Sequence, residues 1–328
     1  MGSIIDWSLR PVYSPEQLER YFNRIDLPQK YRESPVVRLG ASIDGESALS
    51  FLKVLQRYQV AAVPFENLNL HYAVKRYISI DAQKLFEKIV DSGSDRGGYC
   101  MENSTLFGTV LRTMGYNITS VGGRVNEAVQ PISASKDWKG PKYDGWNHLV
   151  NIVAIGEQKY LIDVGFGSSG PHQPVPLIDG FKAHNVGDQS ARLIYGPIAQ
   201  HTGAGQSLWQ YEICNGGGAW IPAYCFTETE FLPEDFTIIN YYMSTSPESW
   251  FVSHVVCVRM LLDDEGEKII GDLTLFDNTL KRRLGATSEV LQSFASEEER
   301  VNVLQRYFGI TMSKADQDSI LRTASEIM

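Results

Sequence analysis

Three residues of this chain carry side chains that together could perform nucleophilic catalysis, namely Cys100, His148 and Asp163. A cysteine attacks a carbonyl carbon as its thiolate, which a histidine base generates while a carboxylate orients that histidine. Cys100 follows "DRGGY", where Gly97 and Gly98 allow a sharp turn and the close approach of a substrate. If a helix begins here, its unpaired N–H groups favour the thiolate. The segment therefore predicts a nucleophile, against the alternative of a buried structural cysteine.

The histidine and the aspartate lie in two strand-like segments. His148 is near the start of "WNHLVNIVAI", and Asp163 lies within the apolar run "KYLIDVGFG". A carboxylate in such a run is costly to bury unless it is paired, and two adjacent strands could bring it beside the histidine. Taken alone, His148 is better explained as a strand-edge histidine, and Asp163 could be a turn-forming aspartate before Gly165. The other histidines lack a comparable carboxylate, and no Cys/His spacing fits zinc, so we expect no metal site.

The segments before and after Cys100 have helical periodicity. Residues 14–27 start with a capping box, and residues 45–63 and 80–93 repeat apolar positions at helical spacing. The helix that follows Cys100 is predicted to stop at Gly115.

Beyond residue 116 the chain is dominated by short β-branched and aromatic runs, with a hairpin predicted around 215–218. The final part mixes strands with helices predicted over 288–295 and 296–309. Residues 165–170 match GxGxxG, but three prolines in the next seven residues prevent the helix that a dinucleotide site needs. Helices, then antiparallel strands, then a mixed segment predict an α+β chain.

Composition excludes several classes of protein. The 328 residues predict two or three structural units, and the net charge of −9 argues against a nucleic-acid binder. No apolar run approaches the roughly 18 residues of a membrane helix, and the first residues lack a signal-peptide pattern. Four sparse cysteines do not make a disulfide framework, so we expect free thiols in the cytoplasm.

Four motifs in order resemble the arylamine N-acetyltransferase family: "VPFENLNLHY" at 63–72, "RGGYCMEN" at 96–103, "GWNHL" at 145–149 and "YLIDVGFG" at 160–167. The resemblance covers most of residues 15–170 and thins toward the C-terminus. It implies that Cys100, His148 and Asp163 form a catalytic triad and that Arg96 pairs with Glu66.

The resemblance also implies an architecture. Residues 1–115 would form a helical bundle that carries the cysteine, 116–232 an antiparallel β-barrel that carries the histidine and the aspartate, and 233–328 an α/β lid. The catalytic core would be like that of cysteine proteases and transglutaminases. The sequence departs from the family pattern at Ser104, where the family usually has asparagine.

The activity implied by the resemblance is ping-pong transfer of an acyl group from acetyl- or malonyl-coenzyme A to an aromatic amine or hydrazine, a reaction of xenobiotic detoxification. Some fungal relatives use the malonyl donor. The acyl-coenzyme A is a substrate, and no cofactor is expected to remain bound. The expected partners are small molecules, without nucleic acid or membrane, and the protein is expected to be a monomer or a weak homodimer.

Further site residues are predicted from family position and local charge. Phe65 and Phe166 would line the aryl pocket, although ordinary core packing is the alternative for both. Gly145 would lie near the coenzyme. Basic residues in two local groups could bind its phosphates or simply be solvated surface. The first group is Lys136, Lys139 and Lys142, the second is Lys281, Arg282 and Arg283, and the strongest candidates are Lys142, Lys281 and Arg282. The same residues also fit two rival functions, a transglutaminase-like or amidase-type thiol hydrolase and a non-catalytic binding protein.

Overall fold

The computed structural model describes residues 10–42, 44–136 and 138–327. Its helices are α1 (Pro15–Arg24), α2 (Gln29–Arg32), α3 (Pro35–Leu39), α4 (Gly45–Ala62), α5 (Asn69–Tyr72), α6 (Ala82–Phe86), α7 (Cys100–Thr113), α8 (Pro233–Thr245), α9 (Glu297–Phe308) and α10 (Lys314–Asp318). A π-helical turn, Glu87–Asp91, continues α6, and short 3₁₀ turns occupy Glu127–Val129, Pro131–Ala134, Gly167–Ser169 and Trp250–Val252.

The strands are β1 (Phe65–Glu66), β2 (Asn117–Val125), β3 (His148–Ile155), β4 (Gln158–Ile162), β5 (Val175–Pro176), β6 (Lys182–His184), β7 (Gln189–Gly196), β8 (Leu208–Asn215), β9 (Ile221–Glu230), β10 (Val256–Leu262), β11 (Ile269–Phe276), β12 (Thr279–Leu284) and β13 (Thr287–Ser293). None of the helices in the described part of the chain combines the length and hydropathy that crossing a bilayer requires.

The N-terminal helices pack around a large apolar core. The predicted capping box is confirmed at α1, where Ser14 Oγ accepts the N–H of Gln17 and the Gln17 side chain accepts the N–H of Ser14. The core contains side chains of α1, α4, α6 and α7 and extends to Val153 and Ile162 of β3 and β4. The helix that begins at Cys100 is therefore packed directly against the strands that carry or precede the histidine and aspartate.

An eight-stranded antiparallel sheet has the order β5-β4-β3-β2-β9-β8-β7-β6. Its two edge strands, β5 and β6, are joined by residues 177–181, so the sheet curls into a nearly closed barrel. The predicted hairpin around 215–218 is confirmed by the pairing of β8 with β9. The β-barrel expected from the resemblance is thus present as a barrel-like sheet in a mixed helix–sheet fold.

A second, five-stranded antiparallel sheet has the order β1-β10-β11-β12-β13. Its first strand comes from the N-terminal segment, because Phe65 and Glu66 pair with Val258 and Cys257 of β10. The helix predicted over 288–295 is wrong: residues 287–293 form the edge strand β13. A two-residue turn with Gly285 at φ 57° connects it to β12 and selects a hairpin over a helix.

Candidate active site

Cys100 is the first residue of α7 and is almost fully buried, with 3% of its surface exposed. Its Sγ lies 3.8 Å from the main-chain oxygen of Asn147, the residue before the histidine. Glu102 caps the start of the helix, because its carboxylate accepts the N–H of Tyr99 at 3.2 Å. The thiol is thus held at a helix N-terminus, where the helix dipole favours a negative charge.

The two glycines before the cysteine are required by close protein contacts. A Cβ at Gly97 would lie 1.9 Å from the main-chain oxygen of Pro64, and a Cβ at Gly98 would lie 2.5 Å from the side chain of Glu102. Both distances are shorter than real side chains allow. The neighbours that approach these glycines are thus other parts of the protein, which fix the path of the chain into α7.

A buried ion-pair network lies beneath this turn. Arg96 Nε is 2.9 Å from Glu66 Oε1, and Lys88 Nζ is 2.7 Å from Glu102 Oε1. Glu66 also accepts the N–H groups of Gly97 and Leu68. Although burial opposes ionisation, the charges of Arg96 and Lys88 lower the pKa of Glu66 to about 2. The network ties the segment before the cysteine to β1.

His148 and Asp163 form a buried pair, with 2.8 Å between Nε2 and Oδ2 and 1% of each residue exposed. His148 opens β3, and Asp163 comes one residue after the end of β4. The other carboxylate oxygen, Oδ1, accepts the N–H of Gly165 at 2.8 Å, which fixes its orientation. Because Nε2 faces the aspartate, Nδ1 is the ring nitrogen left for the thiol of Cys100.

The pair favours a charged histidine. Burial alone would disfavour the imidazolium, but the Asp163 carboxylate and the neighbouring Cys100 raise the pKa of His148 to about 10. At neutral pH both ring nitrogens of His148 are therefore protonated, and the positive charge of this imidazolium can balance a thiolate at Cys100. This is the charge state that an activated cysteine requires.

Aromatic rings pack on the histidine. The Phe166 ring centroid lies 5.2 Å from that of His148, and the Tyr224 ring lies 5.0 Å from His148 and 4.6 Å from Phe166. Tyr224 is fully buried in β9. Sequence reasoning missed this residue, because a tyrosine in a strand gives no local signal that distinguishes it from ordinary core packing.

Gly165 and Ser104 lie behind the cysteine. A Cβ at Gly165 would lie 2.7 Å from Cys100 Cα and 2.9 Å from Ser104 Oγ, so only glycine fits between these atoms. The buried Ser104 hydroxyl has no hydrogen-bond partner within the described part of the chain. Instead, Asn151 Nδ2 donates to the main-chain oxygen of Ser104 at 2.9 Å and links α7 to β3.

The cysteine and the histidine open onto a cavity of about 390 Å³, which we call the inner cavity. Its lining is mainly apolar, and Phe65, Phe166 and Trp250 contribute aromatic walls. The half-buried Phe65 and Phe166 line this cavity together with Cys100. Aromatic and aliphatic walls with few polar groups are typical of sites for small organic molecules.

A larger cavity of about 850 Å³, the outer chamber, adjoins the inner cavity, because Asn147, Trp250 and Phe276 line both. Gly145 lines the outer chamber, and a Cβ at this position would meet no atom within 4 Å. The chamber offers space for a long substrate arm that leads away from the thiol.

Three of the predicted phosphate-binding cations have different surroundings. Lys142 pairs with Glu127 at 2.9 Å, and Arg282 pairs with Glu289 across the hairpin of β12 and β13. The Lys281 side chain is exposed and, among the described residues, makes no ion pair or hydrogen bond. No three His, Cys, Asp or Glu side chains in the described ranges are grouped as a metal site would require. Residues 165–170 form a tight turn without a following helix, as predicted.

Comparisons with known proteins define the class of this fold and site. A family model described as N-acetyltransferase matches residues 48–317. The arylamine N-acetyltransferase of Mycobacterium abscessus superposes with a TM-score of 0.74 at 23% identity and covers 94% of this chain and 95% of its own. That of Mycobacterium marinum in complex with CoA gives 0.70 at 24% identity, with coverage of 93% and 99%.

Curated relatives give the particular family. An N-malonyltransferase of Fusarium pseudograminearum is 40% identical over 320 residues, which are 94% of this chain and 93% of the relative. Arylamine N-acetyltransferase 1 of Mus musculus is 30% identical, with 90% of this chain and 95% of the relative covered. The chain therefore belongs to the arylamine N-acetyltransferase family and is an N-acyltransferase.

Proposed function

We propose that this enzyme transfers an acyl group from acyl-coenzyme A to an amine through a thioester on Cys100. The observation that carries the proposal is the pair of His148 and Asp163 beside a thiol that opens onto the inner cavity. The fungal N-malonyltransferase relative supports malonyl-coenzyme A as the donor, with acetyl-coenzyme A as the second candidate. The acyl-coenzyme A is consumed as a substrate.

In the first half-reaction, the Cys100 thiolate attacks the thioester carbonyl of the donor. The tetrahedral adduct collapses, the bond to the coenzyme sulfur breaks, and the leaving thiolate takes the proton from the His148 imidazolium. In the second half-reaction, the amine nitrogen attacks the acyl carbon and His148 accepts the proton that the amine loses. The amide leaves, and the thiolate–imidazolium pair is restored. Asp163 orients the histidine and stabilises its charge in both steps.

The acceptor class follows from the cavity walls. Phe65 and Phe166 offer flat apolar surfaces next to the thiol, which suit an aromatic amine or hydrazine. Transfer to a foreign aromatic amine would make the reaction a detoxification step. Gly145 and the outer chamber leave room for the coenzyme arm, whereas Lys142 and Arg282 are already engaged by carboxylates.

The architecture implied by the family resemblance is part of the proposal. The contact of α7 with β3 and β4 would correspond to the catalytic core of cysteine proteases and transglutaminases. Residues 233–328 would act as a lid, since Met243, Trp250 and Phe276 form one side of the inner cavity. The boundaries after residues 115 and 232, and a monomer or weak homodimer, remain predictions.

The test is intact-protein mass spectrometry after brief mixing with malonyl- or acetyl-coenzyme A in the absence of amine, with Cys100→Ser as the control. A single acyl adduct that is absent from the variant is expected, and an added arylamine should discharge it as an amide. Rapid loss of the adduct to water without amine would favour the thiol hydrolase. No adduct and no consumption of donor would refute acyl transfer.

A further inference from the structure

The inner cavity has a polar end formed by two serines. Ser168 and Ser169 both line the cavity, and within the described ranges neither hydroxyl makes a hydrogen bond. Two other polar side chains of the lining, Asn147 and Thr274, are each engaged in hydrogen bonds inside the protein. Uncommitted hydroxyl groups in a mainly apolar cavity indicate a place for a polar part of a ligand.

Arg283 holds this polar end against the five-stranded sheet. Its Nη2 donates to the main-chain oxygen of Ser168 at 2.6 Å, and its Nε donates to Asp272 Oδ2 at 2.6 Å. Because the Asp272 carboxylate balances the guanidinium, this ion pair positions the serine turn and adds no net charge there. The hydroxyls are thus presented by a rigid support.

Lys281 is an exposed cation on β12, the strand paired with β11, which contributes Thr274 to the inner cavity. In the register of β11 and β12 it is opposite Thr274, which lines the inner cavity. Residues paired in this way project from the same face of the sheet, with Cβ atoms about 4.5–5.5 Å apart. The exposed Lys281 side chain has no partner among the described residues and does not itself line the cavity. Rotation of its flexible stem would bring the ammonium group toward Thr274.

We infer that Ser168, Ser169 and Lys281 bind the free carboxylate of a malonyl group and thereby select malonyl over acetyl donors. The inference rests on the proposed acyl transfer through Cys100. Gly165 packs on Cys100 Cα, so the turn that carries the serines starts beside the nucleophile. The malonyl carboxylate lies two bonds beyond the thioester carbonyl and accepts hydrogen bonds from hydroxyl and ammonium groups. An acetyl group has no atom at that position.

The experiment measures the second-order rate of Cys100 acylation by intact-protein mass, without amine, for three donors. Malonyl- and acetyl-coenzyme A are compared with isovaleryl-coenzyme A, which resembles malonyl in shape but is uncharged. The proteins are wild type, the double variant Ser168→Ala/Ser169→Ala, Lys281→Met, and the control Lys53→Met on the exposed surface of α4.

Wild type and the control are expected to prefer malonyl-coenzyme A. Both site variants should lower the malonyl-to-acetyl rate ratio by about tenfold or more, because each removes a hydrogen bond to a charged group. With acetyl- and isovaleryl-coenzyme A, the acylation rates of the variants should stay within a factor of about two of the wild-type rates. Such rates would also show that the variants are folded.

An equal loss of acylation rate with malonyl- and acetyl-coenzyme A in Lys281→Met would overturn the inference. Lys281 would then act on the coenzyme portion that both donors share. An unchanged ratio would overturn it as well. If wild type forms no adduct with any donor, acyl transfer itself fails and the inference falls with it. This outcome is distinguishable from the other two, because in both of those the wild-type protein still forms an adduct.

Discussion

His148 and Asp163 meet by a diagonal contact across β3 and β4, with 2.8 Å between Nε2 and Oδ2. In the register of these strands Asn151 is opposite Ile162, so Asp163 is not directly opposite His148. The contact forms because β4 ends at Ile162, so Asp163 is free of the strand geometry. Its carboxylate is oriented toward His148 by the hydrogen bond that Oδ1 accepts from the N–H of Gly165. The position where β4 ends therefore determines the pair.

Removal of the charge at Asp163 should disable the nucleophile without dismantling the fold. In Asp163→Asn, His148 loses the group that raises its pKa to about 10 and fixes its tautomer. We expect acylation of Cys100 to slow by about 10⁴-fold, the loss found when a triad aspartate is replaced by asparagine. Stopped-flow mixing with mass detection gives the rate. Glu228→Gln, at a surface ion pair, should match wild type.

The proton on His148 should make stability depend on pH in the alkaline range. Its folded pKa of about 10 exceeds the ordinary value of 6.5. The bound proton therefore contributes fully to stability below about 6.5, and this contribution is lost as pH rises toward about 10. Urea unfolding of wild type and His148→Gln should give a free-energy gap that shrinks over this range. A constant gap would contradict the prediction.

Removal of one partner from the buried pair of Arg96 and Glu66 should strongly destabilise the fold. Glu66→Gln leaves the guanidinium without its partner, and we expect a loss of about 3–5 kcal/mol in the free energy of unfolding at neutral pH. Because the pKa of Glu66 is lowered to about 2 from 4.5, the pair's contribution is present above 4.5 and is lost as pH falls toward 2.

The control for this pair is Glu289→Gln, which breaks the exposed pair with Arg282. Both side chains there are more than 40% exposed, so the change should cost no more than about 1 kcal/mol. Urea titrations of both variants measure the difference. Similar losses in the two variants would show that burial of the Arg96 pair does not matter.

Gly165 should be intolerant of any side chain. In Gly165→Ala the new methyl group would meet Cys100 Cα at 2.7 Å, so the start of α7 must move. A displacement of the nucleophile by about 1 Å costs roughly 100-fold in rate, and we expect a loss of that order in acylation. Gly196→Ala, where the nearest atom is 3.9 Å away, is the matched control and should acylate normally.

The elements that depend on local rules could be predicted from the sequence. The capping box at Ser14, the helix that starts at Cys100 and the hairpin before Ile221 follow from capping, periodicity and turn composition, and all are present. Residues 288–295 could not be assigned in this way. Their polar and apolar residues fit a short helix, but pairing with β12 decides the outcome.

The sequence by itself determined the chemistry of the candidate site, because a cysteine, a histidine and an aspartate with these neighbours have few other uses. Only the tertiary structure decided their geometry, since the three side chains lie on α7, β3 and the end of β4. It also decided that Tyr224 packs on the histidine and that Lys281, unlike Arg282, has no carboxylate partner in the described chain. Such contacts join residues far apart in the chain, and the local sequence around each residue does not predict its partner.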